Sequence, residues 1–329
     1  MSKNLVPTDI FNTIDTNTFT KRCFETFHFQ INQNEVYSSF CELLDVKPWD
    51  IEKIEQIPFL PVEIYKSHKV LCGKSYSKMF ESSGTTSENR SIHFVKDISL
   101  YDDSLVKGFR LFYGEPSGWC FLALLPSYIG RENSSLIYMM RKLMDYSNHP
   151  LNGFFLQNGK QLTNAISQLK ESGQKTILIG VSFALLDFSS DHCINLTENF
   201  VVMETGGMKG RREEMVRNEL HKNLCSQLEV AVIHSEYGMT ELLSQAYSQG
   251  GGLFRTPPWM KVLIRDLNDP FCYLPVGRTG AINIIDLANR YSCSFISTQD
   301  LGRVNNDGTF EVLGRYDYAD VRGCNLMVS

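Results

Sequence analysis

Ser235-Glu236-Tyr237-Gly238-Met239-Thr240-Glu241 places an aromatic face, a hydroxyl and a carboxylate within five residues, directly after the strand signal Val230 to His234. An aromatic ring can stack on a base, a hydroxyl can bind phosphate and a carboxylate can hold Mg²⁺. Taken alone, Glu241 reads equally as a solvated acid at a helix start, where the helix dipole favours it.

Working back from this stretch, strands and helices alternate. Phe200 to Glu204 reads as a strand and Arg211 to Gln227 as a helix. Thr176 to Gly180 is a buried strand followed by a short helix through Leu186. Gly159 to Ser172 is a helix stopped by Gly173, Gly153 to Leu156 a strand, Ser134 to Tyr146 a helix, Trp119 to Leu125 a strand and Asp97 to Phe112 an amphipathic helix. This alternation from about 92 to 236 predicts parallel strands with helices on both faces, and ligands bound beyond the carboxyl ends of those strands. Residues 1–60 read as a helical segment, with Phe19 to Phe29 and Val36 to Leu44 periodic and Asp15 or Asn34 available as caps. Ile57-Pro58-Phe59-Leu60-Pro61 makes an extended connector. The core then spans 61–249. From 250 to 329 the chain becomes β-rich, with short strands at Met260 to Arg265, Ala281 to Ile285, Ser294 to Ser297 and Thr309 to Leu313, divided by turns such as Asn306-Asp307-Gly308.

Four other stretches carry chemistry. Ser82-Ser83-Gly84-Thr85-Thr86-Ser87, after the strand signal Tyr76 to Phe80, gathers hydroxyls and main-chain N–H groups around a turn. It suits a phosphate, or is a flexible Ser/Gly loop. Thr205-Gly206-Gly207-Met208-Lys209-Gly210-Arg211 links a strand to a helix, where glycines admit an anionic or planar ligand or simply make the turn. Asp300, in Ser297-Thr298-Gln299-Asp300, sits at a strand end and suits ribose hydroxyls or a turn. Arg315, in Gly314-Arg315-Tyr316-Asp317, suits ribose, phosphate or an ordinary surface.

Composition narrows the classes. A net charge of −5 with no basic block argues against nucleic acid as the main ligand. Met1 to Asp15 has no apolar core of signal-peptide type, and no window is long enough for a membrane span. The nine cysteines are scattered without a Cys-x-x-Cys pair, which argues against zinc and suits reduced thiols in a cytoplasm.

The ordered series Ser-Ser-Gly-Thr-Thr-Ser, Thr-Gly-Gly, Tyr-Gly-Met-Thr-Glu, Thr-Gln-Asp and Gly-Arg-x-Asp, over residues 82 to 317, resembles the adenylate-forming enzymes: acyl-CoA synthetases, luciferases and the adenylation domains of peptide synthetases. The resemblance implies an α/β fold of their N-terminal domain, with mostly parallel sheets flanked by helices and a small β subdomain. It implies ATP and Mg²⁺. Ser82, Ser83, Gly84, Thr85, Thr86 and Ser87 would cradle the phosphates. Gly206 and Gly207 would border the adenine, with Tyr237 stacked on it and Gly238 and Met239 beside it. Thr240 would contact the α-phosphate, Glu241 would ligate the metal, Asp300 would hold the ribose and Arg315 would reach ribose or phosphate. Asp317 would mark the hinge to the C-terminal domain. Arg90 stands where the family's phosphate loop has lysine, and Gln299 where glycine is common. The sequence stops twelve residues after Asp317, so the mobile C-terminal domain is expected to be truncated or absent. Lys209 or Arg211 would then replace its lysine, unless a partner supplies one.

The run from Gly314-Arg315 to Asp320-Val321-Arg322-Gly323-Cys324-Asn325-Leu326 resembles the end of bacterial luminescence acyl-protein synthetases. That resemblance implies that a long-chain fatty acid is activated as acyl-AMP and passed to Cys324 as a thioester, for a reductase partner to take. Arg322 would help lower the thiol pKa; without the resemblance, Cys324 is an inert tail residue. Phe121 to Leu125, Phe154-Phe155 and Phe183 would line an acyl pocket or belong to the core. Two alternatives remain: an adenylating ligase serving CoA or a carrier protein, and a nucleotide- or acyl-binding protein without catalysis.

Overall fold

A computed structural model describes residues 7–12, 15–83, 90–125, 133–155, 159–192, 194–206 and 215–316. The chain opens with a helical pair, α1 (Thr16–Gln33) and α2 (Glu35–Leu43). The Asp15 side chain accepts from Thr18 N and that of Asn34 from Tyr37 N, so each helix begins where a short polar side chain satisfies an orphan amide. Both expected caps are present. The Pro58–Pro61 connector is extended and adds a two-residue strand, β1 (Leu60–Pro61), to the main sheet.

A hairpin follows, β2 (Lys78–Glu81) and β3 (Ile92–Val95). Then come α3 (Ile98–Tyr113), β4 (Cys120–Leu124), α4 (Ser135–Ser147), β5 (Gly153–Phe154), α5 (Gly159–Ser172), β6 (Thr176–Val181), α6 (Ser182–Asp191), β7 (Phe200–Thr205), α7 (Arg217–Leu228) and β8 (Ile233–Tyr237). Strands β5, β4, β6, β7 and β8 pair in parallel in that order, as the alternation predicts. Every residue of β4 and β6 is buried, the signature of central strands covered on both faces.

The remaining strands are antiparallel: β9 (Ala246–Ser248), β10 (Phe254–Arg255), β11 (Met260–Arg265), β12 (Gly280–Asp286), β13 (Phe295–Val304) and β14 (Phe310–Arg315). They continue the parallel half edge to edge, so one twelve-stranded sheet runs β11-β12-β13-β14-β10-β9-β8-β7-β6-β4-β5 with β1 beside β13.

Three local expectations shift. Among the described residues, α7 begins at Arg217 rather than Arg211, and 211–214 lie outside them. Strand β8 begins at Ile233 because Val230 to Val232 are still connecting the left-handed C-cap Glu229 to the sheet. Strand β13 does not stop at Ser297. It runs to Val304, since β14 pairs with it from Asp300 to Val304 and β12 pairs with Leu301 and Gly302. Among the described cysteines, Cys23, Cys41, Cys72, Cys120 and Cys293 are buried as small core residues, whereas Cys272 is exposed. No helix among the described residues is long and apolar enough to cross a membrane.

Candidate functional site

The carboxyl ends of β6, β7 and β8 lie side by side, in register Val181↔Thr205 and Thr205↔Glu236. The chain leaves β7 through Gly206, whose φ of +67° a side chain would resist. Ser182, at the start of α6, donates its hydroxyl to the Gly206 carbonyl at 2.9 Å. Gly207, Met208, Lys209, Gly210 and Arg211 lie outside the described residues, as do Gly84, Thr85, Thr86, Ser87, Asp317, Arg322 and Cys324.

Tyr237 ends β8. Its ring meets Phe254 and Phe310 edge to face, with centroids 5.9 and 5.8 Å away, and its hydroxyl donates to Asp300 Oδ2 at 2.7 Å. Asp300 lies within β13 rather than at its end. Ala281 faces Leu301 while Asn283 faces Ser297, so an irregularity in the β12–β13 ladder carries Thr298 to Asp300. Bulges of this kind re-aim side chains beside active sites. Arg315 pairs with Asp300 across β13 and β14, its Nε 3.8 Å from Asp300 Oδ1 and its Nη2 3.0 Å from Gln299 Oε1. The Arg315 side chain is 73% exposed, so little of its charge is committed. Burial raises the pKa of Asp300 and takes that of Tyr237 well above the ordinary phenol value, with the carboxylate opposing phenol ionisation further.

Gly238 is exposed, Met239 and Thr240 are half-buried and Glu241 is buried. Burial raises the Glu241 carboxyl above its ordinary range, while the Ser91 hydroxyl and the Arg315 charge pull it back down. Ser91 belongs to the β2–β3 hairpin, so a hairpin outside the main sheet brings Ser82 and Ser91 towards Glu241. Ser82 N donates to Ser91 O and Ser91 N to Ser82 Oγ, both at 3.0 Å, and Ser83 continues half-buried beyond them. Arg90, at the hairpin's end, holds Glu81 Oε2 at 3.4 Å. Ser82, Ser91, the Thr240–Glu241 turn, Tyr237, Asp300 and Arg315 thus form one constellation, drawn from residues up to 233 positions apart in the sequence.

Beneath it lies a buried acid pair that sequence patterning did not single out. Glu204, on β7, takes Arg217 Nε at 3.1 Å and lies 3.6 Å from His221 Nε2. Burial works against its charge, but His221, Arg217 and Ser235 outweigh it and hold the carboxyl below its ordinary range. Glu236 accepts from the Thr205 hydroxyl. Burial pushes it up to about 7, with Thr205 opposing and Glu204 reinforcing the shift. The available signal was an acid near the carboxyl end of each of two adjacent strands, FVVMET and IHSEY.

Three or more His, Cys, Asp or Glu side chains placed to hold a metal do not occur among the described residues. A single buried carboxylate such as Glu241 does fit a Mg²⁺ that brings most of its oxygen ligands with it on phosphates, as that ion prefers. Of the candidate acyl-pocket residues, Phe121 lines a small apolar cavity with Phe109, Met139, Met140 and Tyr247. Leu122 to Leu125 and Phe183 are core, and Phe154 and Phe155 pack against it.

No family model matches the chain, and no curated protein is similar to it in sequence. Solved structures are similar to it. 2-Hydroxyisobutyryl-CoA ligase in the postadenylation state, in complex with 2-HIB-AMP, gives a TM-score of 0.66 at 10% identity, covering 96% of this chain and 72% of that one. The same ligase with 2-HIB-AMP and CoA in the thioesterification state gives 0.65 at 10% identity, covering 97% and 73%. ATP-bound MatB from Rhodopseudomonas palustris gives 0.55 at 15% identity, covering 74% of this chain and 48% of that one. The chain shares the fold of these ligase structures. At such identities the likeness is one of architecture, and the chain spans about half the length of MatB.

Proposed function

We propose that this chain is an acyl-adenylating ligase that activates a carboxylic acid with Mg·ATP and passes the acyl group to a thiol. The observation that carries this reading is the convergence of Tyr237, Thr240, Glu241, Asp300 and Arg315 at the carboxyl ends of the parallel strands. The fold is shared with structures holding ATP and an acyl-AMP ligand.

Tyr237, Gly206 and Gly207 bound the base, Asp300 takes the ribose and Arg315 reaches ribose or phosphate. Ser82 to Ser87 and Thr240 hold phosphate oxygens. Glu241 holds Mg²⁺, which when bound neutralises phosphate charge. The substrate carboxylate oxygen attacks the α-phosphorus, the bond to the β-phosphoryl oxygen breaks and pyrophosphate leaves. Arg90 and Lys209 offset the charge that develops. In the second half a thiolate, having lost its proton, attacks the acyl carbonyl carbon, and AMP departs with the electrons of the C–O bond.

Cys324 is the acceptor we favour, with a long-chain fatty acid as substrate and a reductase as the next acceptor, because the sequence around it resembles the luminescence acyl-protein synthetases. A second reading, transfer to CoA or a carrier protein, is favoured by the neighbour solved with CoA in the thioesterification state. Intact-protein mass after incubation with Mg·ATP and fatty acids of several lengths separates the two. An acyl-sized gain, released by neutral hydroxylamine and missing in Cys324→Ala, supports self-acylation. AMP release that needs CoA and survives Cys324→Ala supports the second. No acid-dependent pyrophosphate or AMP release from any acid overturns both.

A further inference from the structure

The Thr240–Ser244 segment belongs to no helix or strand, so its position must be set from outside. Its backbone is held by three fully buried side chains. His93 Nδ1 meets the Thr240 carbonyl at 2.8 Å, and Asn289 Nδ2 donates to the Glu241 carbonyl at 2.6 Å. Asp286 Oδ2 accepts from Leu243 N at 2.8 Å and Ser244 N at 3.0 Å, and its Oδ1 accepts from Ser244 Oγ at 2.6 Å. Asp286 ends β12 and Asn289 lies in the loop between β12 and β13, and that loop is gripped in turn by α1. Gln30, itself fully buried, donates to the carbonyls of Asn289 and Arg290 at 3.0 and 2.9 Å and accepts from Ser294 N at 3.0 Å. Asn34 Nδ2 donates to Ser292 O at 2.9 Å.

We infer that His93 and Asn289 are positioning residues for the Thr240–Glu241 turn, His93 acting from β3 and Asn289 as the last link of a buried polar relay that begins on α1 at Gln30. This rests on the reading above, in which Thr240 and Glu241 serve Mg·ATP. A carbonyl is acceptor-only, so the proton of the neutral imidazole sits on Nδ1. His93 and the relay fix the carbonyl sides of both residues by hydrogen bonds that burial makes costly to lose. The turn therefore meets its ligand already placed, without ordering cost at binding. The helical pair acts through Gln30 and Asn34 on the loop, and through the loop on the turn.

The test exploits the two imidazole nitrogens. In the full chain, Asn at 93 can place its amide where Nδ1 was, whereas Gln reaches the Nε2 position and leaves the Thr240 carbonyl without a donor. Gln is nearer His in volume, so a packing role predicts the opposite order. Acid-dependent pyrophosphate exchange is measured against Mg·ATP and against the acid. The expected result for His93→Gln and Asn289→Leu is a rise of about tenfold in the Mg·ATP KM, as for one buried hydrogen bond lost. The acid KM should stay unchanged, and His93→Asn should stay near the parent. Equal effects of Asn and Gln, or a larger effect of Asn, overturn the inference. A parent chain with no exchange and no Mg·ATP thermal shift would remove the functional reading instead. Amide hydrogen exchange over 240–244 then still decides the positioning role: faster in Gln than in Asn supports it, and equal rates overturn it.

Discussion

Tyr237 donates its phenolic hydrogen to Asp300 across 2.7 Å, tying the end of the parallel half of the sheet to an irregularity in the antiparallel half, 63 residues away in sequence. The bond joins two residues to which the proposed function gives base and ribose. It also restrains a carboxylate that burial already disfavours as an ion.

Tyr237→Phe keeps the ring contacts with Phe254 and Phe310 and removes only the donor. It should cost about 1.5–3 kcal/mol of stability, the range for a hydrogen bond to a charged group. Asp300→Ala, which removes the acceptor, should cost a similar amount, and the double variant clearly less than the sum of the two. Urea unfolding of the three variants checks this; strictly additive losses would show that the two side chains do not support one another.

Glu241→Gln separates function from stability. Because burial raises the Glu241 carboxyl, a neutral isostere relieves a cost, and the variant should be as stable as the parent or more so at pH 8. Acid-dependent pyrophosphate exchange should nonetheless fall by about a hundredfold or more, since a charge-stabilising group is lost. An unchanged exchange rate would remove Glu241 from the metal site.

The pH dependence of folding should carry the mark of Glu236. Its folded pKa, about 7, lies above the ordinary value of 4.5, so the folded state holds the proton more tightly than the unfolded chain. The contribution is fully present below pH 4.5 and is lost as pH rises through about 7. Across that window it should remove on the order of 3 kcal/mol. Glu236→Gln should flatten this decline and leave the protein more stable at pH 8 but little changed at pH 4. Urea midpoints at the two pH values measure it.

Local pattern carried the parallel half of the fold. Buried strands such as Thr176–Val181 are continuous apolar runs, and Asp15, Asn34, Asp97 and Ser134 cap helices through their own side chains. The candidate site was legible in one place because Tyr237, Thr240 and Glu241 lie within one short segment. What stayed hidden depends on pairing between distant segments. Asp300 belongs to an irregular ladder created by β12, and past it both β12 and β14 pair with β13. His93 and Asn289 look like ordinary strand and turn residues until the fold brings them to the Thr240–Glu241 carbonyls. Glu236 differs from an exposed strand acid only in burial, which its neighbours impose.

Gly238 tests how tightly Glu236 is held. A Cβ at position 238 would lie 2.6 Å from Glu236 Oε1, with Gln245 Cγ next at 3.5 Å. An exposed glutamate would swing aside at little cost, but this one is buried and bound to Thr205. Gly238→Ala must therefore displace the carboxyl and strain the Thr205 contact, and should cost about 1–3 kcal/mol, as overpacking does elsewhere. In a Glu236→Ala background the obstructing oxygen is gone, and the same substitution should cost about 0.5 kcal/mol or less. A double-mutant cycle by urea unfolding reads the difference. An equal cost in both backgrounds would place the demand for glycine in the backbone of the Tyr237–Met239 turn rather than in the carboxylate behind it.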